Sequence, residues 1–329
     1  MNGFKMDAPP HSGDPPRTRI CSLLPSATEI VCALGAQDQL VGVTHECDFP
    51  PSVASIRKIT RSNIPAGFSS AQIDAAVSAS LASSGSLYEL DVPALEELQP
   101  DLVITQRLCD VCAVSYDSVQ AAANNLSSQP RVLNLEPSSV SGILDCIRLV
   151  GEAIGRRDSA DALVLSLQRR IGAVREKTQN LSSRPRVFCM EWVDPPFCGG
   201  HWMRELVDIA GGRDDLAVDC RPSRRIEWSR VVEFAPEVIV LTCCGFDLAR
   251  CAAEADVLAN FAGLHDLPAA QSGRVFATDG SAYFSRPGPR IVESLEILAH
   301  IAHPEIFSVP PLARAFTPVH LSRARATRS

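Results

Sequence analysis

Two short apolar runs, each entered through a proline, stand at matching places in the two halves of the chain. Glu97-Leu-Gln-Pro100-Asp101-Leu-Val-Ile-Thr105 returns as Glu233-Phe-Ala-Pro236-Glu237-Val-Ile-Val-Leu-Thr242. Each reads as the end of a helix, a proline that stops it, an acidic residue, and a β-branched strand buried on both faces. Upstream, Arg19-Ile-Cys-Ser-Leu-Leu-Pro25 is matched by Arg186-Val-Phe-Cys-Met-Glu-Trp192, a strand that runs into a loop and then a helix. Those helices end near Gly35 and at Gly211-Gly212, where glycine suits a left-handed cap. Downstream, Arg131-Val-Leu-Asn-Leu135 is matched by Arg274-Val-Phe-Ala-Thr278. Order and type therefore agree strand by strand, which points to a duplicated α/β unit. Strands alternating with helices imply parallel sheets covered by helices on both faces.

Between the halves the period changes. Ser138 to Ile154 reads as one helix and Asp158 to Gln179 as a second, with Leu163, Leu167, Ile171 and Val174 forming a helical stripe. Asp158 or Ser159 is the expected cap of the second helix. A helix of about 20 residues spans roughly 30 Å, enough to cross from one lobe to the other. The expected fold is α/β, two Rossmann-like open parallel-sheet lobes joined by a long backbone helix. The expected division is residues 1–18 as a disordered N-terminus, 19–137 and 184–308 as the lobes, 138–183 as linking helices, and 309–329 as a disordered tail.

Charge and composition narrow the function. A net charge of −7 and a pI near 5.5 exclude a nucleic-acid-binding face, and the tail arginines (Arg314, Arg323, Arg325, Arg328) are diluted by Ala, Ser and Thr. No stretch approaches the roughly 18 apolar residues of a membrane span. Met1 to Arg19 holds Pro9, Pro10, Pro15 and Pro16 with no apolar h-region or lipoprotein-like cysteine, so a cytoplasmic location is expected. Twelve cysteines in a reducing compartment are free thiols or metal ligands. Cys21, Cys32, Cys146 and Cys189 lie in apolar patterns, where cysteine behaves as a small hydrophobe.

In open α/β sheets the ligand sits beyond the carboxyl ends of the strands. The loops there are 25–28, 44–50 and 106–112 in the first half, and 191–202, 243–246 and 279–286 in the second. They hold much of the rare chemistry of the chain, including two of its three tryptophans, Trp192 and Trp202. Candidate ligand-facing residues are Pro25, His45, Glu46, Cys47, Glu191, Trp192, Phe197, His201, Trp202, Phe246, Tyr283, Phe284 and Arg286. Cys109-x-x-Cys112 reads as unliganded cleft thiols, half of a metal site completed by His45 or His201, or a redox dithiol. Glu191 and Asp194 flank Trp192 and are expected to hold their loop or to meet ligand amides. Glu29 is expected to favour the dipole at the start of its helix. No phosphate loop, Gly-x-Ser-x-Gly elbow or His-Glu-x-x-His is present, which lowers an enzymatic reading.

Ser22-Leu-Leu-Pro-Ser-Ala-Thr-Glu29 with Gly35, Val41-Gly-Val-Thr-His-Glu-Cys-Asp-Phe-Pro-Pro51, Leu98-Gln-Pro-Asp-Leu-Val-Ile104, Asp194-Pro-Pro-Phe197 and Arg286-Pro-Gly-Pro-Arg290 carry a family resemblance. The chain resembles, over residues 18–308, the helical-backbone (class III) substrate-binding proteins of ABC transporters, and within them the vitamin B12 (cobalamin)-binding branch. The resemblance implies a non-catalytic binder of cobalamin or another corrinoid, with ligand contacts at Pro25, Glu46, Phe197, Tyr283 and Arg286. Relatives that bind haem, iron-siderophores or metal ions leave a metal-ion, haem or metal-chelate binder using the cleft Cys and His as an alternative. A thiol-dependent enzyme acting on a corrinoid or metal complex is a further one. Transporter-coupled relatives dock to the permease through a glutamate on each lobe. Here Pro93 stands at one such position, with Asp91 and Glu96 nearby, and Ser229 at the other, with Glu227 nearby, which makes permease docking doubtful. The Ser- and Ala-rich stretch 69–87 is an insertion expected to add a surface helix.

Overall fold

The computed structural model describes residues 18–65, 67–82, 87–107, 114–308 and 314–321. Its first half contains β1 (Ile20–Ser22), α1 (Pro25–Ala33), β2 (Leu40–Val43), β3 (Thr60–Ser62), α2 (Ser70–Ala82), β4 (Tyr88–Leu90), α3 (Val92–Leu98), β5 (Leu102–Thr105), α4 (Tyr116–Asn125) and β6 (Arg131–Asn134). Strands β2-β1-β5-β6 form one parallel sheet in that order. Every residue of β5 is buried, as a strand covered by helices on both faces must be. β3 and β4 pair separately as an antiparallel ribbon, and α2 is the excursion between them.

The linker is α5 (Val140–Ala153) followed by α6 (Arg157–Thr178). Ser139 caps α5 by accepting from the Gly142 N–H at 3.1 Å. Arg156, not Asp158 or Ser159, occupies the N-cap of α6, and its side chain makes no capping bond; Asp158 lies within the first turn, where its charge favours the dipole. The buried Val164, Leu167 and Val174 face inward on α6, and Leu163 and Ile171 pack beside them. One continuous core runs from Ile20 and Ile30 through this helix pair to Leu206, Leu295 and Leu298 of the second half. Arg170 of α6 grips Glu296 with two bonds of 2.9 and 2.7 Å, fixing the backbone helix to the second lobe.

The second half holds β7 (Val187–Trp192), β8 (Phe197–Cys198), α7 (Met203–Ile209), β9 (Arg224–Arg225), α8 (Trp228–Phe234), β10 (Val238–Leu241), α9 (Leu248–Leu258), α10 (Pro268–Gln271), β11 (Val275–Thr278), α11 (Ile291–Ala302) and β12 (Phe316–Pro318). Its sheet, β12-β11-β10-β7-β8-β9, is parallel only at β11-β10-β7. The fully parallel second sheet that the repeat implies is corrected at both edges. Residues 193–196 are too few for a crossover, so β8 turns back antiparallel on β7. β12, inside the stretch expected to be a disordered tail, pairs antiparallel with β11 and covers an edge that would otherwise present unpaired backbone groups.

Candidate functional site

Among the described residues, side chains from the two lobes meet at an ion cluster and at α2. The first of these is buried. Arg286, 5% exposed, donates to Glu29 at 3.0 Å and to Asp48 at 2.5 and 3.2 Å. Arg290 holds the same Glu29 through bonds of 2.9 and 2.6 Å, and its guanidinium lies 4.1 Å from the Phe49 ring. Gly288 lets the Pro-Gly-Pro turn between the two arginines approach α1: a Cβ there would lie 3.3 Å from the Ser26 carbonyl oxygen. Burial alone would lower the Arg286 pKa, but Asp48 and Glu29 together raise it. Asp48 in turn is held below the usual carboxylate range: burial would raise it, and Arg286 and Arg290 outweigh burial.

This cluster corrects two sequence expectations. Arg286, expected as a ligand contact, is buried and ties the lobes together through two carboxylates. Glu29 lies in the interior of α1 and is 3% exposed; the first turn carries no acidic residue, so its role is the cluster and not the helix dipole. Arg290 and Asp48, not singled out from the sequence, complete it. A charged residue inside an otherwise apolar helical run was the available signal, since such a charge must find a partner.

The second meeting place is α2. Ser70 Oγ donates to Glu254 of α9 at 2.7 Å, and Trp192 Nε1 donates to the Ser70 carbonyl at 3.2 Å. Arg225 of β9 pairs with Asp74 at 2.5 Å, and Arg250 of α9 donates to the Phe68 carbonyl at 2.7 Å. Ile73 packs on the core of the second lobe. The expected surface helix is therefore also an arm of the first lobe seated on the second.

The remaining candidates divide by burial. Trp202 (5% exposed), Phe246 (2%) and Phe284 (2%) are core residues with no face left for a ligand, which corrects their assignment to the cleft surface. Trp202 Nε1 donates to the Phe284 carbonyl at 3.1 Å, so the two brace one another. Trp192, Phe197 and Tyr283 remain partly exposed. Trp192 rests on Phe246 with ring centroids 4.9 Å apart, and Arg250 covers that Phe246 at 3.6 Å. Pro25 opens α1 and Glu46 is exposed at the lip of the first lobe. Glu191 holds its loop, accepting from the Gly200 N–H at 3.2 Å, while burial raises its carboxyl pKa.

Cys47 and His45 have local partners, whereas His201 Nδ1 is buried and has no hydrogen-bond partner among the described residues. Cys47 Sγ lies 3.0 Å from Thr28 Oγ1, and burial pushes the thiol up to about 11. Cys47 is buried, which corrects its place among the ligand-facing residues. His45 Nδ1 sits 2.7 Å from Thr60 Oγ1, and burial followed by the nearby Lys58 lowers its pKa. His201 stacks on Trp202 at 5.4 Å, and burial lowers its pKa too. Among the described residues no group of three or more His, Cys, Asp and Glu side chains is placed to hold a metal ion. Cys109 and Cys112 lie outside the described residues.

Close backbone approaches shape the second lobe's rim. A Cβ on Gly280 would stand 2.3 Å from the Cys243 carbonyl oxygen, so the loops after β10 and β11 touch only because residue 280 is glycine. Gly280→Ala is expected to destabilise the protein by about 3 kcal/mol, the upper part of the overpacking range, because backbone and not a side chain must move. Chemical denaturation checks this; a loss under about 1 kcal/mol would mean that the loops separate freely.

Comparisons with known proteins place this architecture. A family model described as periplasmic binding protein matches residues 20–282, and the chain belongs to that family. An ABC transporter substrate-binding lipoprotein of Bacillus subtilis, YvrC, is 25% identical over 295 residues, 88% of this chain and 81% of that one. A vitamin B12-binding protein of Vibrio cholerae is 22% identical over 284 residues, 85% of this chain and 87% of its own. Among solved structures, the periplasmic haem-binding protein RhuT of Roseiflexus in apo form matches with a TM-score of 0.67 at 21% identity, over 88% of this chain and 99% of that one. The vitamin B12-binding protein BtuF of Vibrio cholerae matches with a TM-score of 0.63 at 18% identity, over 89% and 98%. The fold is thus the two-lobed helical-backbone type. The expectation of a cytoplasmic protein is overturned: the family is periplasmic, and a relative alike along most of the chain is a lipoprotein of an ABC transporter. That expectation rested on a pattern missing from a few residues, which weighs less than likeness along the whole chain.

Proposed function

We propose that this chain, as a member of the periplasmic binding protein family, is the solute receptor of an ABC importer outside the cytoplasm and holds cobalamin or a related corrinoid between its lobes. The observation that carries the ligand class is the aromatic rim of the second lobe. Trp192 and Phe197, partners across the β7–β8 pair, and Tyr283 are partly exposed, and Phe246 lies against Trp192; exposed aromatic faces of this kind suit a broad flat ring. In this reading Pro25 and Glu46 of the first lobe are the facing contacts, the Glu46 carboxylate accepting from the amides at a corrin rim. The likeness to vitamin B12-binding proteins supports the corrinoid. Haem is the second reading, favoured by the structural likeness to a haem-binding protein.

Binding without catalysis belongs to the same reading, and the raised Cys47 pKa argues against a thiol nucleophile there. For the permease, Asp91 is spent capping α3 through the Ala94 N–H at 2.9 Å, and Glu96 accepts from the Ser127 N–H at 3.1 Å. Glu227 is exposed at the start of α8 and is the acidic group best placed to dock.

Titration with cyanocobalamin and with hemin, followed by absorbance and by co-elution of colour on gel filtration, tests the proposal. One equivalent of cyanocobalamin retained is the expected result. Retention of hemin alone selects the second reading, and retention of neither sinks both.

A further inference from the structure

The β3–α2–β4 excursion contacts the second lobe through the groups that surround its aromatic rim. Trp192 gives its only ring N–H to the Ser70 and Asp194 carbonyls, both at 3.2 Å. Arg225, whose guanidinium lies 6.0 Å from the Phe197 ring, is engaged by Asp74 at 2.5 Å and by Ser78 Oγ at 3.4 Å. Arg250, stacked on Phe246, is engaged by the Phe68 carbonyl. The seat is small and polar at its centre. Ser70 is buried and bonded to Glu254, Ile73 and Val77 are only partly buried, and Ala71, Gln72 and Ala75 are exposed. A 13-residue helix of this composition carries little stability of its own and depends on its seat.

From this geometry we infer that α2 is an internal competitor for the cleft: a helical arm of the first lobe that rests on the aromatic rim of the second and must leave it for a flat ligand to dock. This inference rests on the proposed binding role for its ligand, but the docking of α2 is testable without one. The arm holds the Trp192 N–H and the Arg225 guanidinium, the polar groups beside the Trp192 and Phe197 rings that the proposed ligand would cover. Apparent affinity is then the intrinsic affinity multiplied by the fraction of molecules with α2 unseated, so weakening the seat strengthens binding.

Two variants loosen the arm without touching the rim: Asp74→Asn removes the carboxylate charge paired with Arg225, and Ile73→Ser removes the apolar contact. Hydrogen exchange in the ligand-free protein is expected to quicken about tenfold in α2 amides of either variant, with the amides of α6 unchanged. In parallel, each variant is expected to bind cyanocobalamin about 5-fold more tightly than the natural protein, and hemin likewise if hemin is the probe retained. Unchanged exchange in α2 overturns the inference, because the helix is then an integral wall. Quickened exchange with equal or weaker binding also overturns it, because α2 then helps to hold the ligand. If neither probe binds any of the three proteins, the binding role proposed above fails, and the exchange result alone decides whether α2 is a detachable arm.

Discussion

Arg286→Ala is expected to lower the unfolding free energy by about 3 kcal/mol, near the lower end of the 3–5 kcal/mol range for breaking a buried ion pair. The lower end applies because the charges left behind are not equally stranded. Glu29 keeps Arg290, and Asp48, with 64% of its side chain exposed, can be rehydrated. Arg286→Met is expected to lose nearly as much, since an apolar chain restores volume but leaves Glu29 one donor short. The double variant Glu29→Gln with Arg286→Met is expected to lose less than the sum of the single changes, the signature of a direct pair. Urea unfolding checks each step. A loss within about 0.5 kcal/mol for Arg286→Ala would show that the cluster contributes nothing net, as many exposed pairs do. It would also restore the role that family resemblance implies for Arg286, a ligand contact that can be removed without cost to the fold.

Trp202→Ala is expected to cost about 3–5 kcal/mol, the usual range for truncating a core aromatic, with the Phe284 carbonyl losing its 3.1 Å donor as well. Trp192→Ala, on the same loop, is expected to cost about 1–2 kcal/mol, because its ring is partly exposed and leaves a smaller cavity. The contrast tests the division of the aromatic residues into a buried support and an open rim. Equal losses in thermal or urea unfolding would abolish that division.

Much of the fold was legible because the signal was local and repeated. Pro100 and Pro236 mark helix ends in both halves, and the β-branched runs after them can only be buried strands. The matching order of elements made two lobes a necessary reading. The antiparallel edges were less legible, because nothing local distinguishes Phe197-Cys198 as a strand; only its place beside β7 makes it one. The site was legible by address and not by role. Strand order places loops at a cleft, but whether Trp192 or Trp202 turns outward depends on neighbours distant in sequence, Phe246 and Phe284. Arg286 was noticed as part of a motif, yet its partners Glu29 and Asp48 lie 257 and 238 residues away. No spacing rule connects such positions. The seat of α2 was illegible for the same reason: Ser70 and Glu254 are 184 residues apart, and a Ser- and Ala-rich helix announces no preferred face.

The separation of the cluster's members along the chain also bears on how the molecule is made. Glu29 emerges early in synthesis and Arg290, its tightest partner, 261 residues later. Until then α1 carries a carboxylate at a position that the finished protein buries. The first-lobe strands β2-β1-β5-β6 are all made earlier, but the α1 face stays incomplete until the turn that precedes α11 arrives. The four charges that join the lobes can therefore come together only late in synthesis, once most of the second lobe has emerged.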